Sequence, residues 1–285
     1  GGFAGFASAW AYENTAANPS GAVSVVIALT CAILASMAGG LIYAFLTISL
    51  RANQNVSGLA LTTFGMGVAN FFGVFILNGA SYSAAPIANK AFSAKIPVLS
   101  TLGSFGQVVF SYGFLVYAAI ALAIALHWFL TRTRAGLNLR AVGENPATAD
   151  AAGINVTLYK YLATCIGAGI CGIGGLYYVL DYNQGIWATT GQIEALGWLA
   201  VALVIFTTWK PLNAIWGAYL FGMLYWLYQF LPTLLGITMA SHITDLVQML
   251  PYVVTIVVLI VVSMRKKKEN QPPAHLGLAY FREER

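Results

Sequence analysis

Apolar residues along this chain arrive in blocks of about 20, separated by short polar or charged stretches, and each block is long enough as a helix to cross a hydrocarbon core of roughly 30 Å. Full blocks occupy residues 21–50, 56–78, 108–130, 158–180, 195–209, 211–230 and 246–264. The stretch from Gly1 to Tyr12 opens directly in Gly/Ala/Phe-rich sequence and reads as the end of a further span, so an upstream piece is expected to be missing. The expected fold is all-α, a polytopic transmembrane helical bundle of about 8–10 spans with its N-terminal span partly missing. Residues 1–264 form the membrane domain and 265–285 a C-terminal tail.

Small residues recur at four-residue steps within the blocks: Ala32, Ser36, Gly40 and Ala44; Gly65, Ala69 and Gly73; Ala163, Gly167, Cys171 and Gly175. In lipid no hydrophobic drive brings helices together, so small side chains that let backbones approach closely mark helix packing. These rows are assigned to the bundle, not to a pore lining.

Composition agrees with this pattern. Hydrophobic residues make up 59% of the chain, charged residues 8%, and mean hydropathy is +0.75, against roughly a quarter charged in soluble domains. The three cysteines, Cys31, Cys165 and Cys171, lie in apolar stretches without paired spacing, so no disulfide framework or metal site is expected. The net charge of +5 is spread over several inter-helix segments without an aromatic-basic surface, so no nucleic-acid partner is expected. Topology explains the charge better. If Arg265, Lys266, Lys267 and Lys268 are cytoplasmic, alternate crossings put Arg51, residues 132–140, Lys160 and Lys210 on the same side, as the positive-inside rule requires. Only Lys90 and Lys95 fall outside. Glu13, Asp181, Glu194 and Asp245 sit at the opposite ends.

Two loops are long. Residues 79–107, on the external side in this count, contain Pro86 and Pro97 among many Ser and Ala, which fits irregular or short interfacial structure. Residues 131–156, on the cytoplasmic side, contain a short helix of their own. Asn145 is a good N-cap, Pro146 suits the first helical position, and Gly153 suits the terminating one. A helix this short and Ala-rich is not stable alone and needs a partner surface. Its small side chains fit a narrow groove, and Arg132, Arg134, Arg140, Glu144 and Asp150 can fix its orientation by charge.

The run from Gly136 through Leu137, Asn138, Leu139, Arg140, Ala141, Val142, Gly143, Glu144, Asn145 and Pro146 to Ala147, followed by Ala152, Gly153 and Ile154, resembles the coupling loop of permease subunits of bacterial ATP-binding cassette importers. It is most similar to the branch that takes up nucleosides with a basic-membrane-protein-type lipoprotein as receptor. Residues 50–61, beginning Leu50, Arg51, Ala52 and Asn53, match that branch too. So does the tail, with Pro272, Pro273, Ala274, His275, Leu276 and Gly277, then Tyr280, Phe281, Arg282, Glu283, Glu284 and Arg285. The resemblance implies that Arg140, Gly143, Glu144, Asn145, Pro146, Ala149, Asp150 and Gly153 couple the spans to a cytoplasmic ATPase. It further implies a second homologous permease subunit, an extracellular substrate-binding lipoprotein, and a bacterial plasma-membrane location with the C-terminus cytoplasmic. This chain departs from the pattern at Thr207, Thr208, Trp209, Lys210 and Pro211, where relatives often carry glycines, and the first span is expected to be missing.

No catalytic constellation appears. The sequence has no HExxH, no GxSxG and no phosphate-cradling GxxxxGK[ST], so no catalytic or metal residue is assigned, and ATP and Mg are expected in the partner ATPase. His127, His242 and His275 are scattered and read as polar caps. Apart from Lys160, near a boundary, no Asp, Glu, Lys or Arg falls in the middle of a span, which counts against proton coupling and fits a neutral small-molecule substrate. For the solute path the candidates are Asn53, Gln54, Asn55 and Ser57, where Gly58 allows a break in the backbone, and, second, Gln192, Glu194 and Trp198. Polar caps at helix ends are the competing reading for both groups. Simple sugars, riboflavin and branched-chain amino acids are alternative substrates, and a stand-alone channel or carrier is the alternative class.

Overall fold

The structure, a computed structural model, describes residues 1–77, 85–94, 112–187, 192–235, 247, 249–265 and 271–281. Lys95, Asp245, His242, Lys266, Lys267, Lys268, most of the 79–107 loop and the last four residues lie outside them, as do the side chains of Gln192 and Arg265.

Within the described residues the chain is all-helical: α1 (Gly2–Thr15), α2 (Gly21–Ala44), α3 (Gln54–Leu77), α4 (Pro86–Phe92), α5 (Phe114–Arg132), α6 (Arg134–Glu144), α7 (Pro146–Ala151), α8 (Val156–Tyr177), α9 (Gln192–Phe206), α10 (Pro211–Leu235) and α11 (Leu250–Arg265). Helices α2 and α8 each continue into a π-helical turn, Phe45–Ser49 and Tyr178–Tyr182. Four described helices are long and apolar enough to cross a membrane: Gly21–Ser49, Gln54–Phe75, Phe114–Arg132 and Val156–Tyr182. Their outward faces carry large apolar side chains such as Leu34, Phe71 and Ile166, as expected of helices solvated by lipid tails.

The chain divides into two compact units. The first comprises Gly1–Ala119, Ala141–Ile193 and Gly277–Arg285, and the second Ile120–Arg140 and Glu194–Leu276. The core of the first is a stack of α1, α2 and α8 with very close backbones. A Cβ on Gly172 would lie 2.4 Å from Ser36 Oγ and 2.7 Å from the Ala32 carbonyl oxygen, and one on Gly40 would lie 2.5 Å from Ala168 Cβ. On α1, a Cβ on Gly5 would lie 2.6 Å from the Ala28 carbonyl oxygen. The α2 row of Ala32, Ser36, Gly40 and Ala44 therefore lies on a packing face, with Ala32, Gly40 and Ala44 buried. The α8 row packs as expected at Gly175, where a Cβ on Gly2 of α1 would lie 2.6 Å from the Gly175 carbonyl oxygen, but not at its middle members. Cys171 is exposed and nothing approaches Gly167, and the seam instead runs through Cys165, Ala168, Gly169, Gly172 and Leu176. Of the α3 row, Gly65 meets nothing and Gly73 receives the Trp187 indole, which also packs edge-on against Phe3 at 5.1 Å.

The second unit is built from the rest of α5 and α6 with α9, α10 and α11. Helices α9 and α10 meet closely at Gly217, where a Cβ would lie 2.4 Å from Thr207 Cγ2, beside the Phe206–Phe221 ring pair at 5.1 Å. Thr208 and Trp209 take positive φ, 53° and 55°, the left-handed conformation that glycine adopts without strain.

Candidate functional site

Two ends of the first unit are chemically distinct. At one, the Glu13 carboxylate of α1 accepts hydrogen bonds from the backbone N–H of Ile87 (3.1 Å) and Ala88 (2.7 Å), and from Ser24 Oγ at 3.1 Å. The Ile87 and Ala88 N–H groups are donors of the first turn of α4, whose N-cap position, Ala85, offers no acceptor side chain. Ser93 donates to Asp181 at 3.0 Å, and the Asn89 amide donates to the Gln184 carbonyl oxygen at 2.8 Å. Helix α4 is thus tied to α1, α2 and the turn after α8.

The other end holds residues 141–154, the larger part of the segment that resembles a coupling loop. Helix α6, which sequence reading did not separate from the loop, begins where Thr133 Oγ1 accepts from the Gly136 N–H at 3.0 Å. A Cβ on Gly136 would lie only 2.0 Å from the Phe129 carbonyl oxygen, so glycine is required for the turn out of α5. The signal that could have found α6 is that Thr133 N-cap followed by a helix-favouring run.

Helix α7 follows after a single residue. The Asn145 side chain accepts from the Thr148 N–H at 3.1 Å, Pro146 opens the helix, and Gly153 takes φ +82° as its N–H donates to the Asp150 carbonyl oxygen. The expected cap, start and stop therefore stand at the expected residues. Pro146 and Ala149 face inward, and Ala149 clusters with Val142 and Val156, flanked by Ile154, Tyr159 and Tyr280. Glu144, Asn145, Thr148, Ala151, Ala152 and Gly153 are exposed, Gly143 and Asp150 are half-buried, and Arg140 is exposed on α6. Of the residues expected to couple to an ATPase, Pro146 and Ala149 are buried against the chain's own core and the others are exposed or half-buried. An outer face of Glu144, Thr148, Ala151 and Ala152 remains.

The tail reaches α7 and links it to two further elements, a role that sequence reading did not give it. The Tyr280 hydroxyl donates to Asp150 Oδ2 at 3.0 Å. Lys160 Nζ stands 5.8 Å from the Tyr280 ring centroid, and the Arg51 guanidinium lies 4.4 Å over the Phe281 ring. Ser49 and Tyr161 hydroxyls pair across the same end. Arg51 and Lys160 therefore share one end of the unit, with Glu13 and Asp181 at the opposite one.

The solute-path candidates are placed as follows. Asn53 Oδ1 accepts from the N–H of Asn55 (3.0 Å) and Val56 (3.2 Å), which makes it the N-cap of α3. Asn53 and Asn55 are exposed, Ser57 is buried, and the Gln54 carbonyl oxygen accepts from the Tyr43 hydroxyl at 3.4 Å. The backbone break expected at Gly58 is absent. Helix α3 runs unbroken from Gln54 to Leu77, and the chain reverses earlier, at Arg51 with φ 55°. The physical reason is the Asn53 cap, which completes the first turn and leaves Gly58 an ordinary helical residue. In the second unit, Glu194 and Trp198 stand one turn apart on α9, Trp198 about half exposed. Among the described residues no three His, Cys, Asp or Glu side chains gather as a metal site.

Comparison with known proteins gives this geometry a context. No solved structure matches the chain. A putative glucose ABC transporter permease of Haloferax volcanii is 38% identical over 197 residues, 67% of this chain and 57% of the relative. A guanosine ABC transporter permease of Bacillus subtilis is 36% identical over 202 residues, 67% of this chain and 60% of the relative. A nucleoside ABC transporter permease of Lactococcus lactis is 33% identical over 220 residues, 76% of this chain and 67% of the relative. The chain thus spans about three-fifths of the length of the first two of these relatives. The model of the branched-chain amino acid transport system / permease component family matches residues 2–261, and the chain belongs to that family of transport permeases.

Proposed function

We propose that this chain is a transmembrane subunit of an ATP-binding cassette importer for nucleosides, forming half of a heterodimeric pathway with a second homologous permease. Its α7 segment docks into a separate cytoplasmic ATPase, which binds the ATP and Mg, and an extracellular substrate-binding lipoprotein delivers the solute. The reading is carried by one observation: a capped six-residue helix set on the basic end of the bundle, with its inner face buried and its outer face of Glu144, Thr148, Ala151 and Ala152 exposed. A small-residue outer face fits a narrow groove, and Glu144 beside it can orient the fit. The proposed mechanism is alternating access. Closure of the ATPase halves moves α7, and the spans exchange an outward-open cavity for an inward-open one.

Nucleosides as substrate are supported by the guanosine and nucleoside permeases among the relatives. The described spans carry Asp, Glu, Lys or Arg only near their ends, which suits a neutral solute met by hydrogen bonds and stacking. The glucose relative, at 38% identity, favours a second reading, a neutral sugar. The two separate in vesicles holding the assembled complex: uptake of labelled guanosine resisted by excess glucose supports nucleosides, and the converse supports sugars. Docking is tested with Thr148→Trp. Placed on the exposed face, it should leave the bundle folded and cut ATP-driven uptake at least about tenfold by excluding the partner groove. Undiminished uptake by that variant would overturn the role of α7.

A further inference from the structure

We infer that residues 277–281 form a positioning strap for α7, with Tyr280 and Phe281 as positioning residues that fix this short helix to the ends of α2 and α8. The inference rests on the coupling role proposed above for α7.

Helix α7 has six residues, PATADA, and only the small side chains of Pro146 and Ala149 are buried on its inner face. So little apolar area cannot hold a helix in place, and helices this short do not persist alone. Tyr280 supplies what the helix lacks. Its ring packs against the cluster of Val142, Ala149 and Val156, and its hydroxyl donates to Asp150 Oδ2 at 3.0 Å, from 130 positions away in sequence. A hydrogen bond to a carboxylate is roughly twice as strong as one between neutral groups. The same ring stands 5.8 Å from Lys160 Nζ, which reaches it from the first turns of α8.

The adjacent residue makes the second attachment. The Phe281 ring lies 4.4 Å under the Arg51 guanidinium, within reach of a cation-π interaction. Arg51 is held in the left-handed conformation at φ 55°, with the flanking Ala52 N–H donating to the Leu46 carbonyl oxygen at 3.0 Å. Two consecutive tail residues thus bridge the end of α2, the α7 carboxylate and the start of α8. None of these contacts involves Thr148, Ala151 or Ala152, which stay exposed for a partner. A push on α7 is then delivered to α2 and α8 together, the two helices that form the tightest seam in the unit.

The test uses the assembled complex in vesicles, read in two ways: hydrogen exchange of the 147–154 amides, and uptake per ATP hydrolysed. Tyr280→Ala should speed exchange in α7 by about tenfold or more and lower uptake per ATP, while ATP turnover persists. Tyr280→Phe keeps the ring and should retain most of the coupling. Should Tyr280→Ala fail to assemble, Tyr280→Phe and Asp150→Asn carry the test. Each should speed α7 exchange, and the double variant should add little beyond either. Unchanged α7 exchange in these variants overturns the strap. Faster exchange with uptake per ATP unchanged upholds the strap and overturns the coupling role of α7, so the two failures are distinguishable.

Discussion

Helices α4 and α7 each open with a proline, Pro86 and Pro146, and each is too short to persist alone, yet their first turns are completed from different sources. In α7 the acceptor is Asn145, the residue immediately before the helix. In α4 it is Glu13, whose bond to the Ile87 N–H spans 74 positions of sequence. A helix capped by its own neighbour carries its cap wherever it moves. One capped by another element moves only with that element. The end of the unit that holds α4 is therefore cross-tied through Glu13, Ser24 and Asp181. The end that holds α7 presents a helix with its own cap, attached by an apolar inner face and by Tyr280 of the tail.

Both short helices share one frame, so the strongest way to break the comparison is to disturb that frame. The α2–α8 seam admits no side chain at Gly172, because the Ala32 carbonyl oxygen is backbone and cannot rotate aside. Gly172→Val should cost on the order of 3 kcal/mol, read as a lower unfolding midpoint in detergent. Hydrogen exchange should quicken in both 86–92 and 146–151. A response in one helix alone would show that they do not share a frame.

Glu13→Ala should separate them. It strands two backbone donors and a serine hydroxyl, which costs about 2 kcal/mol at an end that water can partly reach. Exchange in 86–92 should rise roughly 30-fold while 146–151 is unchanged, and Glu13→Gln, which keeps one acceptor oxygen, should fall between. Equal loosening of both helices would mean that the two ends are not held independently.

The same contrast accounts for what could be read in advance. Helix α7 was legible because its cap, first residue and terminator all lie within 145–153. Helix α4 was not, because nothing near Ala85 announces a cap that arrives from α1. The α2 packing row was legible since its small residues lie on one face. Helix α8 carries Gly167, Gly169, Gly172, Gly174 and Gly175, so several small rows coexist, and only the partner helix selects the one that packs. The amide-rich run at 53–55 reads equally as a cap or a solute contact, and the hydrogen bonds of Asn53 place it as the cap of α3. The roles of Tyr280 and Phe281 depend on the tail returning over more than 100 positions, which no local pattern encodes.

The smallest effect gives the sharpest test, because it asks whether the α7 cap is as local as it looks. Removing the Asn145 side-chain oxygen leaves the Thr148 N–H without its acceptor. Asn145→Ala should therefore destabilise the helix by about 1 kcal/mol, and Asn145→Gly by only a few tenths, since glycine is itself tolerated at caps. Exchange at Thr148 should rise about fivefold in the alanine variant and barely move in the glycine one, with 86–92 unaffected in both. Asn145 already sits at extended backbone, φ −148° and ψ 92°, which alanine adopts without strain, so the difference between the two variants isolates the cap. If alanine and glycine behaved alike, the inner face and the tail would be holding α7 without help from its cap, and the contrast with α4 would lie in packing alone.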